Sequence, residues 1–337
     1  MKAIGYTAAG SIDRPGALVE RDIPVPLPSG HDLLVKVEAV AVNPVDTKLR
    51  QNAPPDGGFR VLGFDAVGIV EAVGDKVSLF KAGDRVWYAG SIKRAGSNAE
   101  FQLVDERIVG PAPATLSHAD AVALPLTTIT GWEMLFDRLD VRRPVPLDNR
   151  TLLIIGAAGG AGSIAVQLAK RVAGMTVIGT ASRPETGAFV ESMGADHVVD
   201  HAQPLAPQVA ALGIGAPGFV YSTTQTSHHF RDILELIAPQ GRLGVISGVG
   251  EATHPDPLSG KAVTLCYELM FTRSNFETPD MIEQHRLLAE AARLADAGIL
   301  RTTRTEHFGR ITADNLTRAH AAIETGKTIG KIVLEGF

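Results

Sequence analysis

Thr151-Leu152-Leu153-Ile154-Ile155-Gly156-Ala157-Ala158-Gly159-Gly160-Ala161-Gly162-Ser163 decides the fold. Thr151–Ile155 reads as a strand buried on both faces. Ser163–Val172 reads as a helix with Ile164, Leu168 and Val172 on one face. A glycine cluster between a buried strand and a helix is the context of a dinucleotide-binding turn. The chain must turn tightly, bring its N–H groups close to a pyrophosphate and pack the helix against the sheet, and large side chains would obstruct all three. The free N–H groups of the helix start then hold the phosphates. The spacing is Gly-x-x-Gly-x-x-Gly rather than Gly-x-Gly-x-x-Gly, so the flanking elements carry much of the argument.

Working outward, strand and helix patterns alternate. Thr176–Thr180 reads as a strand, Glu185–Met193 as a helix closed by Gly194, and His197–Asp200 as a short strand. Gly218–Tyr221, a helix around His229–Ile237 and Leu243–Ser247 continue the series. Such alternation implies a parallel sheet with crossover helices. Ala262–Phe271 is strand-like and suits a sheet edge. A last helix is expected from the cap Thr278-Pro279 to Gly298. The segment before residue 125 has another texture. Short strands such as Leu33–Val42, Ala66–Val73 and Arg85–Tyr88 are broken by Gly74-Asp75 and Gly83-Asp84, as in a small antiparallel barrel. The fold class expected is α/β, with a β-barrel domain and a doubly wound parallel-sheet domain.

The end of the second strand reads Gly179-Thr180-Ala181-Ser182-Arg183. NAD-specific domains place a carboxylate there to bind the ribose 2′-hydroxyl. Here a hydroxyl and a guanidinium stand instead, which suits a 2′-phosphate. The cofactor expected is NADPH, with Ser182 and Arg183 at its phosphate. Ser222 and Thr223 are further contacts, since ligands bind at the carboxyl ends of parallel strands.

Composition excludes several other classes. The chain has 337 residues, enough for two domains. Hydrophobic residues make up 45% and charged residues 20%, which a globular core requires; the net charge of −5 carries no basic stripe for nucleic acid. No apolar run approaches the roughly 18 residues of a membrane span, and Met1–Tyr6 lacks the apolar region of a signal peptide. A cytoplasmic location is therefore expected. Cys266, the single cysteine, excludes an intrachain disulfide and a cysteine-based structural zinc site.

On these and further motifs the chain resembles the medium-chain dehydrogenase/reductase superfamily, quinone oxidoreductase branch, and within it the zinc-type alcohol dehydrogenase-like proteins. The motifs are Asn43-Pro44-Val45-Asp46, Leu62–Gly68 with Val73-Gly74, and Lys81–Val86. Leu124-Pro125-Leu126 through Thr130-Gly131-Trp132, and Gly330–Leu334, complete them. The resemblance implies a GroES-like domain over 1–125, a Rossmann domain over 126–275 and a return to the first domain over 276–337, with the active cleft between domains. It implies cofactor contacts from Asn43, Thr130, Gly156, Ala158, Gly159, Gly160, Ala161, Gly162 and Lys331. It also implies a homodimer that continues the sheet through the strand 262–271, which alone would be an exposed apolar edge.

No metal is expected. The ligand positions of the zinc branch hold Asn43, Phe64 and Leu126, which cannot form a three-ligand zinc site. His228-His229 read as residues on a helix surface. Without a Lewis acid, hydride transfer suits a quinone or an enone, which carries its own electron sink. The catalytic candidates are Asn43 as an amide donor facing the nicotinamide, Lys48 as a cation for an enolate or hydroquinone oxygen, and Asp46, orienting Lys48 or binding a ribose hydroxyl. Asp65 is open to a purely structural reading. Two other readings stay open: a zinc-dependent alcohol dehydrogenase, and an NADPH-binding sensor without turnover. The pocket walls are expected from the loops Gln51–Arg60 and Gly90–Asn98.

Overall fold

The computed structural model describes residues 1–147, 150–249 and 256–337. It divides into two compact units: Met1–Ile129 with Phe271–Phe337, and Thr130–Met270.

The first unit is built on antiparallel strands. They are β1 (Lys2–Tyr6), β2 (Val19–Asp22), β3 (Asp32–Ala41), β4 (Arg60–Val61), β5 (Asp65–Val73), β6 (Arg85–Tyr88), β7 (Phe101–Asp105) and β8 (Val109–Pro111). The hub is β3, whose residues Leu33, Val35, Val37 and Val40 enter the core. It pairs with β5 on one side. On the other it pairs with β7 at one end and, at the other end, with a strand that returns from the C-terminus. The helix α1 (Pro44–Asn52) follows β3 directly, with Asn43 as its cap and Pro44 in its first turn. Two more helices, α2 (His118–Ala121) and α3 (Pro125–Trp132), lead to the second unit.

The second unit alternates strand and helix. Its strands are β9 (Thr151–Ile155), β10 (Thr176–Thr180), β11 (His197–Val199), β12 (Phe219–Ser222), β13 (Arg242–Val245) and β14 (Thr264–Tyr267). The helices are α4 (Gly160–Gln167), α5 (Pro184–Met193), α6 (Leu205–Ala211) and α7 (Thr226–Leu236). All strand pairs are parallel, in the order β11-β10-β9-β12-β13-β14. The order reverses between β9 and β12, and the glycine loop leaves β9 at that switch point, where doubly wound sheets bind ligands.

The chain closes in the first unit with α8 (Thr272–Phe276), α9 (Ile282–Asp296), β15 (Arg304–His307), α10 (Ala313–Glu324) and β16 (Lys331–Glu335). Three expectations need correction here. The strand expected over 262–271 is confined to Thr264–Tyr267, because Ala262 turns through φ 52° and a helix begins at Thr272. The helix expected from Thr278-Pro279 begins at Ile282 instead. The N–H of Met281 bonds back to the Thr278 carbonyl, so the proline lies in a turn ahead of the helix. That helix is not the last, since α10 follows it, capped by Thr312, whose hydroxyl accepts the Asn315 N–H. Among the described residues no helix is long and apolar enough to cross a membrane.

Candidate functional site

Each unit carries its own part of the candidate site. In the first unit the end of β3, the start of α1, the start of β5 and the start of β16 meet at a buried polar cluster. Asn43, Asp46, Asp65 and Lys331 are all at most 3% exposed. Asn43 Nδ2 donates to Asp65 Oδ2 at 2.8 Å and to the Ala41 carbonyl at 3.3 Å. Lys331 Nζ donates to Asp65 Oδ2 at 2.9 Å, to the Val42 carbonyl at 3.2 Å and to Asn43 Oδ1. The other carboxylate oxygen, Asp65 Oδ1, accepts the Leu126 N–H at 2.7 Å. The amide orientation of Asn43 follows from its neighbours: the oxygen faces an ammonium and the nitrogen a carboxylate, and the flipped amide would oppose like to like.

Every ammonium hydrogen and both amide hydrogens of this cluster therefore have partners within it. That corrects two expectations. Asn43 does not hold its amide donors open for a ligand; they go to Asp65 and Ala41. Lys331 is not turned to a cofactor; its three donors hold Val42, Asn43 and Asp65. Both are positioning residues.

Asp46 is corrected in the same way. Its oxygens accept the N–H groups of Asn43 and Gly63, each at 2.9 Å, so it ties the start of α1 to the segment before β5. Among the described residues no hydrogen bond or ion pair joins it to Lys48. Burial pushes its pKa up to about 7, opposed by the two backbone N–H groups and the Lys331 ammonium and reinforced by the Asp65 charge. Lys48, on the outer side of α1, is exposed, and its ammonium has no hydrogen-bond or ion-pair partner among the described residues.

The cluster also decides how far a zinc ion fits this unit. Asn43 and the neighbouring Asp65 are hydrogen-bonded to an ammonium, Phe64 packs edge-on against Phe271 with centroids 5.2 Å apart, and the aliphatic side chain of Leu126 offers no metal-ligating atom. A buried cation already paired with the carboxylate repels a second one. The residues do not fit a catalytic zinc.

In the second unit the glycine loop is built as a cradle. Gly156 has φ 79°, a conformation that side chains disfavour. At Gly162 a Cβ would stand 2.2 Å from the Gly156 carbonyl oxygen and 2.7 Å from Ala157 Cα, so only glycine lets α4 approach the loop this closely. Gly156, Ala158, Gly159, Gly160 and Ala161 are half-buried, and the first turn of α4 carries no acidic residue. These features fit a dinucleotide pyrophosphate.

The neighbouring strand ends supply hydroxyls. Thr180 Oγ1 accepts the Gly156 N–H at 3.1 Å, a brace for the loop that the sequence reading did not single out. Thr223 donates to the Ile155 carbonyl at 2.8 Å. Ser222 is fully buried and its hydroxyl pairs with Thr226 at 2.9 Å, so it shapes the turn before α7 rather than facing outward. Thr130 is likewise buried, in α3. Ser182 is exposed. Arg183 is half-exposed as the cap residue of α5, its Nε 3.3 Å from Glu185. An ion pair this exposed contributes ~0–1 kcal/mol, little for a phosphate to displace.

Comparison with known proteins agrees with both units. Residues 29–114 match the alcohol dehydrogenase GroES-like domain, and residues 160–292 match the zinc-binding dehydrogenase family. A zinc-type alcohol dehydrogenase-like protein of Staphylococcus aureus (strain MSSA476) is 42% identical over 335 residues, 99% of each chain. The chain belongs to the medium-chain dehydrogenase/reductase superfamily, quinone oxidoreductase branch. Within this superfamily, a proposed zinc-dependent alcohol dehydrogenase from Rhizobium etli CFN 42 superposes with a TM-score of 0.98 at 56% identity, covering 100% of this chain and 98% of the other. Quinone oxidoreductase of Pseudomonas syringae pv. tomato DC3000 gives a TM-score of 0.83 at 25% identity over 99% of both chains. As a member of the superfamily the protein is an oxidoreductase, with a GroES-like and a Rossmann domain.

Proposed function

We propose that this oxidoreductase uses NADPH, works without zinc, and delivers hydride to a quinone or to the activated double bond of an enone. The observation that carries the reading is the Lys331 ammonium, paired with Asp65 and Asn43 beside the positions where zinc-dependent members need ligands. With no ligand set for a Lewis acid among the described residues, simple alcohols and carbonyls are expected to be poor substrates, whereas quinones and enones already have an electron sink. The dinucleotide, when bound, supplies the hydride from its nicotinamide ring.

The residues of this chain would then bind and orient. Gly156, Ala158, Gly159, Gly160, Ala161 and Gly162 would hold the pyrophosphate by backbone N–H groups, with Thr223 beside them. Ser182 and Arg183 would take the 2′-phosphate, for which a carboxylate in that segment would be repulsive. Lys48, exposed and unpaired among the described residues, is the group available to support developing negative charge or to donate a proton. The exposed edge strand β14, with Tyr267 56% and Leu269 53% exposed nearby, would pair with its twin in a homodimer; sedimentation as a monomer at micromolar concentration would count against it.

The test is oxidation of NADPH and NADH against a panel of quinones, enones, aldehydes and ketones, with alcohols in the reverse direction. Turnover with NADPH and a quinone or enone is expected. Arg183→Ala is expected to weaken NADPH selectively, by ~1–3 kcal/mol. Activity restricted to simple alcohols and carbonyls, or equal affinity for the two cofactors, would contradict the reading.

A further inference from the structure

Beside the segment Thr180–Arg183 lie three imidazoles that the reaction itself does not use. His201, just beyond β11, has Nδ1 3.2 Å from Thr180 Oγ1, the same oxygen that accepts the Gly156 N–H. The glycine loop, the strand end without a carboxylate, and His201 are thus one hydrogen-bonded chain. The His201 ring stands edge-on to that of His229, with centroids 6.2 Å apart, and His229 stands edge-on to His228 at 4.7 Å. Both of these histidines belong to the first turn of α7.

The cluster is flanked by charges of both signs. His201 is held below the ordinary histidine value, first by burial and then by Arg183 and His228; Asp200 opposes them. His229 is lowered by burial, by His228 and by His201, against Asp232. Arg183 has Glu185 as an exposed partner. Burial and the neighbouring cationic groups thus both disfavour the imidazolium form of His201 and His229. A phosphomonoester dianion arriving beside Arg183 would reverse the balance around His201.

We propose that His201 is a specificity-determining residue of the dinucleotide site: it takes a proton from solvent when a 2′-phosphorylated cofactor binds and stands with Arg183 as a second cation for that phosphate. In the imidazolium, Nδ1–H donates to Thr180 Oγ1, which leaves Nε2–H for the ligand. The proposal rests on the reading that the cofactor is NADPH.

Linkage fixes the sign of the effect. A group protonated on binding makes affinity rise as pH falls toward its value in the complex. NADPH should bind about threefold to tenfold tighter at pH 6.5 than at pH 8.5, and NADH should show no such slope. The range stays above the second ionisation of the 2′-phosphate, near pH ~6. Titration calorimetry of the full chain, in two buffers of different ionisation enthalpy, reads both affinity and proton uptake. His201→Gln keeps a polar partner for Thr180 but cannot titrate, and in it the slope and the uptake should vanish. A flat NADPH profile in the wild type, or a slope that persists in His201→Gln, would overturn the proposal. NADPH bound no more tightly than NADH at any pH in the wild type would overturn the cofactor reading instead, and this proposal with it.

Discussion

The polar cluster of the first unit and the glycine loop of the second are both made of residues that the motifs single out, yet they are built on opposite plans. Around Lys331 the polar groups turn inward and satisfy one another: ammonium, carboxylate, amide and backbone carbonyls form a closed, buried set. Around Gly156 the chain leaves room: half-buried backbone, small side chains, and a half-exposed Arg183 whose ion pair is cheap to break. A closed cluster fixes shape, and an open one keeps capacity for a ligand. Motif membership alone does not distinguish the two.

The comparison can be broken most sharply at Lys331. Lys331→Met removes the cation and leaves Asp65 buried with an uncompensated charge, a change expected to cost ~3–5 kcal/mol of stability. Denaturant unfolding would read it. Lys331→Met combined with Asp65→Asn should recover part of the loss, because Asp65 then no longer carries an unpaired buried charge. If the single variant unfolds like the wild type, the cluster is not closed in the sense described.

The open region should respond differently. Gly162→Ala would put a Cβ against the Gly156 carbonyl and Ala157, so the loop or α4 must shift, at a cost of ~1–3 kcal/mol. Dinucleotide affinity should fall with it, since the loop then loses its shape; unfolding and binding measured on the same preparation would show both. Unchanged affinity would mean that the loop does not hold the cofactor.

The smallest effect is expected at Lys48. Exposed on α1 and unpaired among the described residues, it should contribute little to stability. Lys48→Ala should lower turnover more than NADPH affinity, because charge on the acceptor oxygen is greatest in the transition state. Full activity in this variant would return Lys48 to the role of a solvated surface residue and assign the proton to water.

How much of this was readable in the sequence depends on what fixed each element. β9 and β10 are central strands, buried on both faces, and their apolar runs mark their limits: both are observed as expected, at Thr151–Ile155 and Thr176–Thr180. Edges are less legible. The strand expected over 262–271 kept only its middle, because a left-handed turn at Ala262 and a helix at Thr272 are set by neighbours rather than by apolar pattern. The helix α10 escaped notice because its buried face is carried by Leu316, Ala319 and His320, a weak apolar stripe.

The sequence shows the residue types of the candidate site and not their pairings. The residue types at Asn43, Phe64 and Leu126 are visible as letters. The ammonium that stands beside Asn43 comes from Lys331, 288 residues away, and no local spacing announces that contact. The Asn43 donors are committed nearer by, to Ala41 and to Asp65, 22 residues on, and the hub role of Asp65 follows from contacts that no local pattern announces.

The proposal that this oxidoreductase runs without a metal rests on Lys331, built in beside Asn43 and Asp65. The direct test is metal analysis of the purified protein together with NADPH-dependent reduction of a quinone or enone before and after exhaustive chelation. The account predicts far less than one zinc per chain and a rate that chelation leaves unchanged. One zinc per chain, with activity lost on its removal and restored on its return, would contradict it.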